Sequence, residues 1–217
     1  MARQPFFNNM PLELALLVGA IVLAHLARIF APPDTQAAIV EALAVTPARW
    51  ESALSSGQLF ATILPSMFGH VFLHAGWVHL LFNMSLLVSV GRGLAENLRR
   101  GAHPAVRFYI IFFGAAAAGA LSYVLIDRGS DAPALGASGA VCGIYSAYLL
   151  SVFPRWQDSL RQPAILQNGA IFVLINVGLA FAVRFFGVLP IAWEAHLGGF
   201  IGGLILYPLL APAPQDA

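Results

Sequence analysis

Ser138 stands between small residues in Gly136-Ala137-Ser138-Gly139, at the start of an apolar run. A hydroxyl is a weak nucleophile until a base takes its proton, and histidine is the usual base. His196, in Ala195-His196-Leu197-Gly198-Gly199, is the histidine of the last apolar run. His79 and Asn83 are four residues apart and share a helix face. Both can donate hydrogen bonds to a developing oxyanion, as can the backbone amide of Ser138 at a helix start. The chemistry that these residue types suit is acyl transfer. Glu194 lies two residues from His196 and points elsewhere on a helix, so no carboxylate is placed to orient the base and a two-residue dyad is implied. The same short motif also reads as a small-residue surface for close helix packing. Gly139 and Gly143, with Gly199 and Gly203, make paired small-xxx-small faces that would draw two helices together and Ser138 towards His196.

The elements that must position these groups are apolar. Hydrophobic residues are 59% of 217, charged residues 10%, and mean hydropathy is +0.78. A soluble domain carries about 25% charge, so lipid is the solvent to expect. A net charge of +1 gives no basis for nucleic-acid binding. The single cysteine, Cys142, excludes an intrachain disulfide and reads as a small packing residue. Apolar runs at about 12–30, 77–94, 108–126, 135–153, 165–186 and 191–210 predict six transmembrane helices in one all-α membrane domain spanning residues 1–217. The first run comes after Arg3, as in a signal peptide, but lacks a small-x-small cleavage site and precedes five more; it is read as a retained span. Residues 31–76, with Trp50, Phe68 and Phe72, are apolar enough to lie at the membrane interface.

Arg3, Arg99, Arg100, Arg107, Arg155 and Arg161 fall on the side of the N-terminus, and Arg49, Arg128 and Arg184 on the other. That bias puts the N-terminus in the cytoplasm. Every even-numbered span then enters from outside. His79 and Asn83 on the second, Ser138 on the fourth and His196 on the sixth all sit in early turns, within roughly 10 Å of the outer surface at 1.5 Å per residue. Four polar side chains from three helices thus share one depth, which a buried polar site needs.

Other histidines invite other readings. His70, His74 and His79 lack a His-Glu-x-x-His pattern and any nearby carboxylate or thiol, so neither a metal nor a cofactor is expected. His70 and His74 read as hydrogen-bonding groups within the loop, and His25 and His103 as interface residues.

His79-Leu80-Leu81-Phe82-Asn83, Gly136-Ala137-Ser138-Gly139 and Ala195-His196-Leu197-Gly198-Gly199, in this order on the second, fourth and sixth spans, resemble the signature of the rhomboid family of intramembrane serine proteases. The resemblance covers the six-helix core, about residues 12–210. It implies Ser138 as nucleophile, His196 as general base, and an oxyanion hole of His79, Asn83 and the Ser138 amide. It implies that residues 31–76 form the family's large first loop, dipping into the outer leaflet. The fifth helix and the loop Gly187 to Ala192 would be the gate and cap for substrate. Its partners would be membrane lipid and transmembrane protein substrates, single-span proteins cut near the outer face after a small residue. The setting implied is a bacterial inner membrane, with the protein multi-pass. Two positions depart from the pattern. Cys142 stands where an aromatic often packs on the histidine, and Ser66-Met67 stands where many bacterial members carry Trp-Arg. They bear on base orientation and loop rigidity. Two rivals remain. A rhomboid-like client-binding pseudoprotease usually lacks a member of the dyad, and both are present here. A transporter would show mid-membrane charges or broken helices.

Overall fold

The computed structural model describes residues 10–186 and 191–212. Regular structure among them is helical, apart from one antiparallel bridge between Val45 and Ala134. Six longer helices fall on the six apolar runs: α1 (Leu12–Ile29), α5 (Trp77–Leu98), α6 (Pro104–Ile126), α7 (Ser138–Ser151), α9 (Pro163–Phe186) and α10 (Trp193–Leu210). Between them lie α2 (Pro33–Leu43), α3 (Pro47–Ser55), α4 (Leu64–Gly69) and α8 (Trp156–Ser159). Proline begins α2, α3, α6 and α9, where its missing N–H costs no intrahelical bond.

Length and composition suffice for crossing a membrane in four helices: Leu12–Ile29, Trp77–Leu98, Pro104–Ile126 and Pro163–Val183. The expected six spans are met by that measure only in part. In α10, Glu194, His196, Pro208 and four glycines dilute the apolar residues. Helix α7 has 14 residues and starts at Ser138, later than the run from Leu135 suggests. At 1.5 Å per residue it is about 21 Å long, short of the roughly 30 Å of a hydrocarbon core. A helix that short would end inside any bilayer it entered, and its ends would then need protein around them.

They have it. Gly139, Ala140, Val141, Gly143, Ile144, Ser146, Ala147 and Leu150 are all buried, which takes in nearly every side of α7. It is the central helix. Its main core unites Leu14, Leu17 and Ile21 of α1, Leu80 and Leu87 of α5, Phe108 and Phe112 of α6, and Ile144 and Leu150 of α7. Its C-terminal carbonyls are satisfied from outside the helix: Arg100 Nη2 donates to Ser151 O at 2.8 Å and Ser159 Oγ to Leu150 O at 2.9 Å. Orphan carbonyls at this depth would be costly, and these are paired.

Residues 31–76 are more structured than a loop. They contain α2, α3, a π-helical stretch at Leu59–Ile63, α4 and a 3-10 turn at His70–Phe72. Val45, Trp50, Ala53 and Ile63 form a second core with Ala120, Tyr123 and Val124 of α6. Ser66, where a Trp-Arg pair would begin, is fully buried; it accepts a bond from Trp50 Nε1 at 2.8 Å and donates to Thr62 O at 2.8 Å. An anchor of different chemistry therefore ties α3 to α4 at that position.

Candidate active site

Three pieces of backbone bring the polar residues together. The first is the turn before α7. Gly136 has φ +118°, a conformation only glycine adopts without strain, and its N–H donates to His70 O at 2.9 Å. Val45 N–H to Ala134 O, 2.9 Å, and Ala134 N–H to Val45 O, 2.8 Å, hold the strand of chain leading into it. Residues 31–76 are thus bonded directly to the serine turn. Among the described residues no side chain caps α7, so its first-turn amides, Ser138 N–H among them, are open to an anion.

The second piece is α10, which nests between α6 and α7 with almost no side chains intervening. A Cβ built on Gly199 would overlap the Gly139 carbonyl oxygen, and one on Gly203 the Gly143 carbonyl oxygen. One on Gly139 would stand 3.0 Å from Ala195 O, and one on Gly119 of α6 2.7 Å from the same oxygen. The paired glycine faces read from the sequence meet here. Ser146 Oγ adds a bond to Phe200 O at 2.7 Å. Within this contact His196 Nε2 lies 2.9 Å from Ser138 Oγ, both half-buried. This is hydrogen-bond distance between a hydroxyl and the imidazole nitrogen able to take its proton.

The third piece is the N-terminal part of α5. His79 lies against the serine turn: a Cβ on Gly136 would be 2.9 Å from His79 Nε2 and 2.8 Å from Cε1. The Ala75 N–H donates to His79 Nδ1 at 3.4 Å, so in the neutral ring the proton sits on Nε2, the nitrogen facing Gly136. Asn83 is 3% exposed, and its Nδ2 donates to His79 O at 2.9 Å.

The remaining histidines fall otherwise. His70 does bond within residues 31–76, its Nδ1 to Ser66 O at 2.9 Å. The ring of His74 neighbours the Phe72 backbone, and its own carbonyl accepts from Arg28 Nη2 at 2.7 Å. Burial above all, with like charge on His79, His25 and Arg28, pushes His74 down to about 3, so the ring stays neutral at working pH. His25, read as an interface residue, is 1% exposed, covered by other parts of the chain. A single polar residue inside an apolar run carries no spacing signal, and none could have shown its surroundings. Among the described residues no group of three His, Cys, Asp or Glu side chains could hold a metal ion. Of the expected gate, α9 packs loosely, with 6% of its apolar window buried. Residues 187–190 of the expected cap lie outside the described residues.

The chain is similar to several known proteins. A rhomboid domain model matches residues 61–213. RHOMBOID-like protein 5 of Arabidopsis thaliana is 28% identical over 148 residues, 67% of this chain and 43% of that protein. RHOMBOID-like protein 7 of the same plant is 31% identical over 146 residues, 67% of this chain and 42% of that protein. YdcA, a rhomboid protein of Bacillus subtilis (strain 168), is 26% identical over 161 residues, 74% of this chain and 72% of its own length. The chain thus spans less than half of the two plant proteins and most of the bacterial one.

Proposed function

The chain belongs to the rhomboid family, and from that membership we propose that it is an intramembrane serine endopeptidase working by a Ser138–His196 dyad. The observation that carries the reading is the 2.9 Å contact between Ser138 Oγ and His196 Nε2, made between two helices of an apolar bundle. Ser138 Oγ attacks the scissile carbonyl while His196 Nε2 takes its proton. The oxyanion is met by Ser138 N–H, by His79 Nε2–H and by Asn83 Nδ2–H. His196 then gives the proton to the leaving amine, the acyl group stays on Ser138, and a water deprotonated by His196 releases it. No carboxylate bonds the imidazole among the described residues, and the seating of α10 against α6 and α7 positions the helix that carries it.

All six longer helices cross the membrane in this proposal, in the inner membrane of a bacterium, with the short α7 keeping Ser138 below the outer surface. The substrates are single-span proteins, cut near the outer face after a small residue where the helix unwinds easily. The loosely packed α9 is the side from which they arrive. Purified protein in liposomes should cleave a single-span reporter, and Ser138→Ala should leave it whole. A folded wild type that binds the reporter without cutting it would assign the chain to the client-binding class instead.

Arginine placement sets the orientation proposed. Ala102 and Ala132 are both exposed, on opposite sides of α6. In a Cys142→Ser background, an impermeant thiol reagent added outside should label Ala132→Cys and not Ala102→Cys. The reverse pattern would invert the topology.

Asn83 gives a separate expectation. If its Nδ2–H meets only the transition state, Asn83→Ala lowers kcat about ten- to a hundredfold with little change in KM, since two other donors remain. An unchanged kcat in the folded variant would remove Asn83 from the oxyanion hole.

A further inference from the structure

We propose that His25 of α1 is a positioning residue that, through His74, holds the His79 ring against the serine turn. The inference rests on the reading of His79 as an oxyanion donor and extends it to a helix that none of the three motifs touches.

Three imidazoles line up from α1 to the candidate site. His25 meets His74 edge to face, centroids 6.2 Å apart and planes at 83°. His74 meets His79 at 5.1 Å and 65°. Trp77 also meets His25, at 5.1 Å and 78°. His25 is 1% exposed and His74 is fully buried. Both ring nitrogens of His25, and Nε of Arg28, lie buried without a protein hydrogen bond. For packing alone this is an unfavourable choice. Leucine or phenylalanine would fill the same space without burying unpaired polar atoms.

The polar edges do have faces to meet. An imidazole edge carries positive character and is attracted to the face of the next ring, a directional contact that an aliphatic side chain cannot make. Each ring in the row therefore restrains the tilt of its neighbour. The backbone of the middle ring is pinned as well, because Arg28, one turn beyond His25 on α1, donates to the His74 carbonyl at 2.7 Å. His79 is held on its other side by the Gly136 turn, and its Nδ1 by the Ala75 amide. Between these contacts its Nε2–H has one direction to point. Without His25, the His74 ring has freedom to tilt and the donor loses its aim.

The test separates aim from packing. His25→Leu fills the space and removes the ring edge. It should fold with a Tm equal to or above that of wild type, keep KM within about twofold, and lose about tenfold in kcat, the order expected of a misaimed group. His25→Phe, which restores a positive ring edge, should recover part of that loss. A second readout needs no turnover. Nitrogen-15 imidazole spectra in the Ser138→Ala background should show His79 as a single Nε2–H tautomer, and His25→Leu should mix the tautomers. That spectral result, beside a folded protein with Ser138 intact that never cleaves, would keep the inference and refute the proteolytic reading. An unchanged His79 spectrum in His25→Leu would overturn the inference, as would a lowered Tm with kcat intact.

Discussion

Gly199→Val will lose both the fold's tightest contact and the activity. The new side chain has to occupy the position of the Gly139 carbonyl oxygen, and backbone cannot move aside as a flexible side chain does. Overpacking of a well-filled interior costs roughly 1–3 kcal/mol and sometimes more. Here the upper end or beyond is expected, since two helices must separate. Separation also pulls His196 from Ser138, and misplacement by about 1 Å can cost roughly a hundredfold in rate. A thermal melt in detergent and a reporter assay should therefore fall together. Gly19→Val is the matched control: a Cβ there meets nothing within 4 Å, on α1 of the same bundle. It should leave both measurements near wild type. A Gly199→Val protein with native Tm and rate would mean that α7 and α10 do not meet as described.

His196→Ala should do the opposite, removing the chemistry and sparing the fold. The imidazole is half-buried and its hydrogen bond is to Ser138, itself half-buried, so truncation leaves neither a large cavity nor a buried unpaired charge. Without the base, the hydroxyl keeps its proton. By analogy with other serine hydrolases, kcat should fall at least about 10⁴-fold. Tm should move by no more than a few degrees. A loss under tenfold in a well-folded variant would show that another group accepts the Ser138 proton.

These two expectations rest on features of different legibility. The glycine faces of α7 and α10 are readable because small residues four apart on two helices leave a periodic trace, Gly139 with Gly143 and Gly199 with Gly203. Ser138, His196, His79 and Asn83 stand out because polar groups in apolar runs are costly and rare. Which atoms meet is a different matter. The left-handed Gly136, its bond to His70 O and the Ala75 amide on His79 Nδ1 come from chain segments up to 66 residues apart, and no spacing rule joins them. The apolar run places the start of α7 three residues too early because Leu135 to Ala137 are as apolar as the helix itself; the turn chemistry at Gly136 ends the approach and starts the helix. The short helices within residues 31–76 read as one loop for a related reason. Their periodicity is brief, and it is α6, far along the chain, that gives Trp50 and Ile63 a surface to bury against. His25 and Arg28 are the hardest to read. Each is a lone polar residue near the end of an apolar helix, and their meaning comes from His74, 46 residues beyond Arg28.

The central claim is that Ser138 is made nucleophilic by His196. A fluorophosphonate probe added to the folded, purified protein reads this most directly, because it reacts with an activated serine and needs no knowledge of the natural substrate. Mass spectrometry should find one adduct, on Ser138. It should be absent in Ser138→Ala and reduced steeply in His196→Ala, with Gly19→Val labelled as wild type. Labelling of Ser138 that persists undiminished in His196→Ala, or a folded wild type that takes no label, would contradict the dyad.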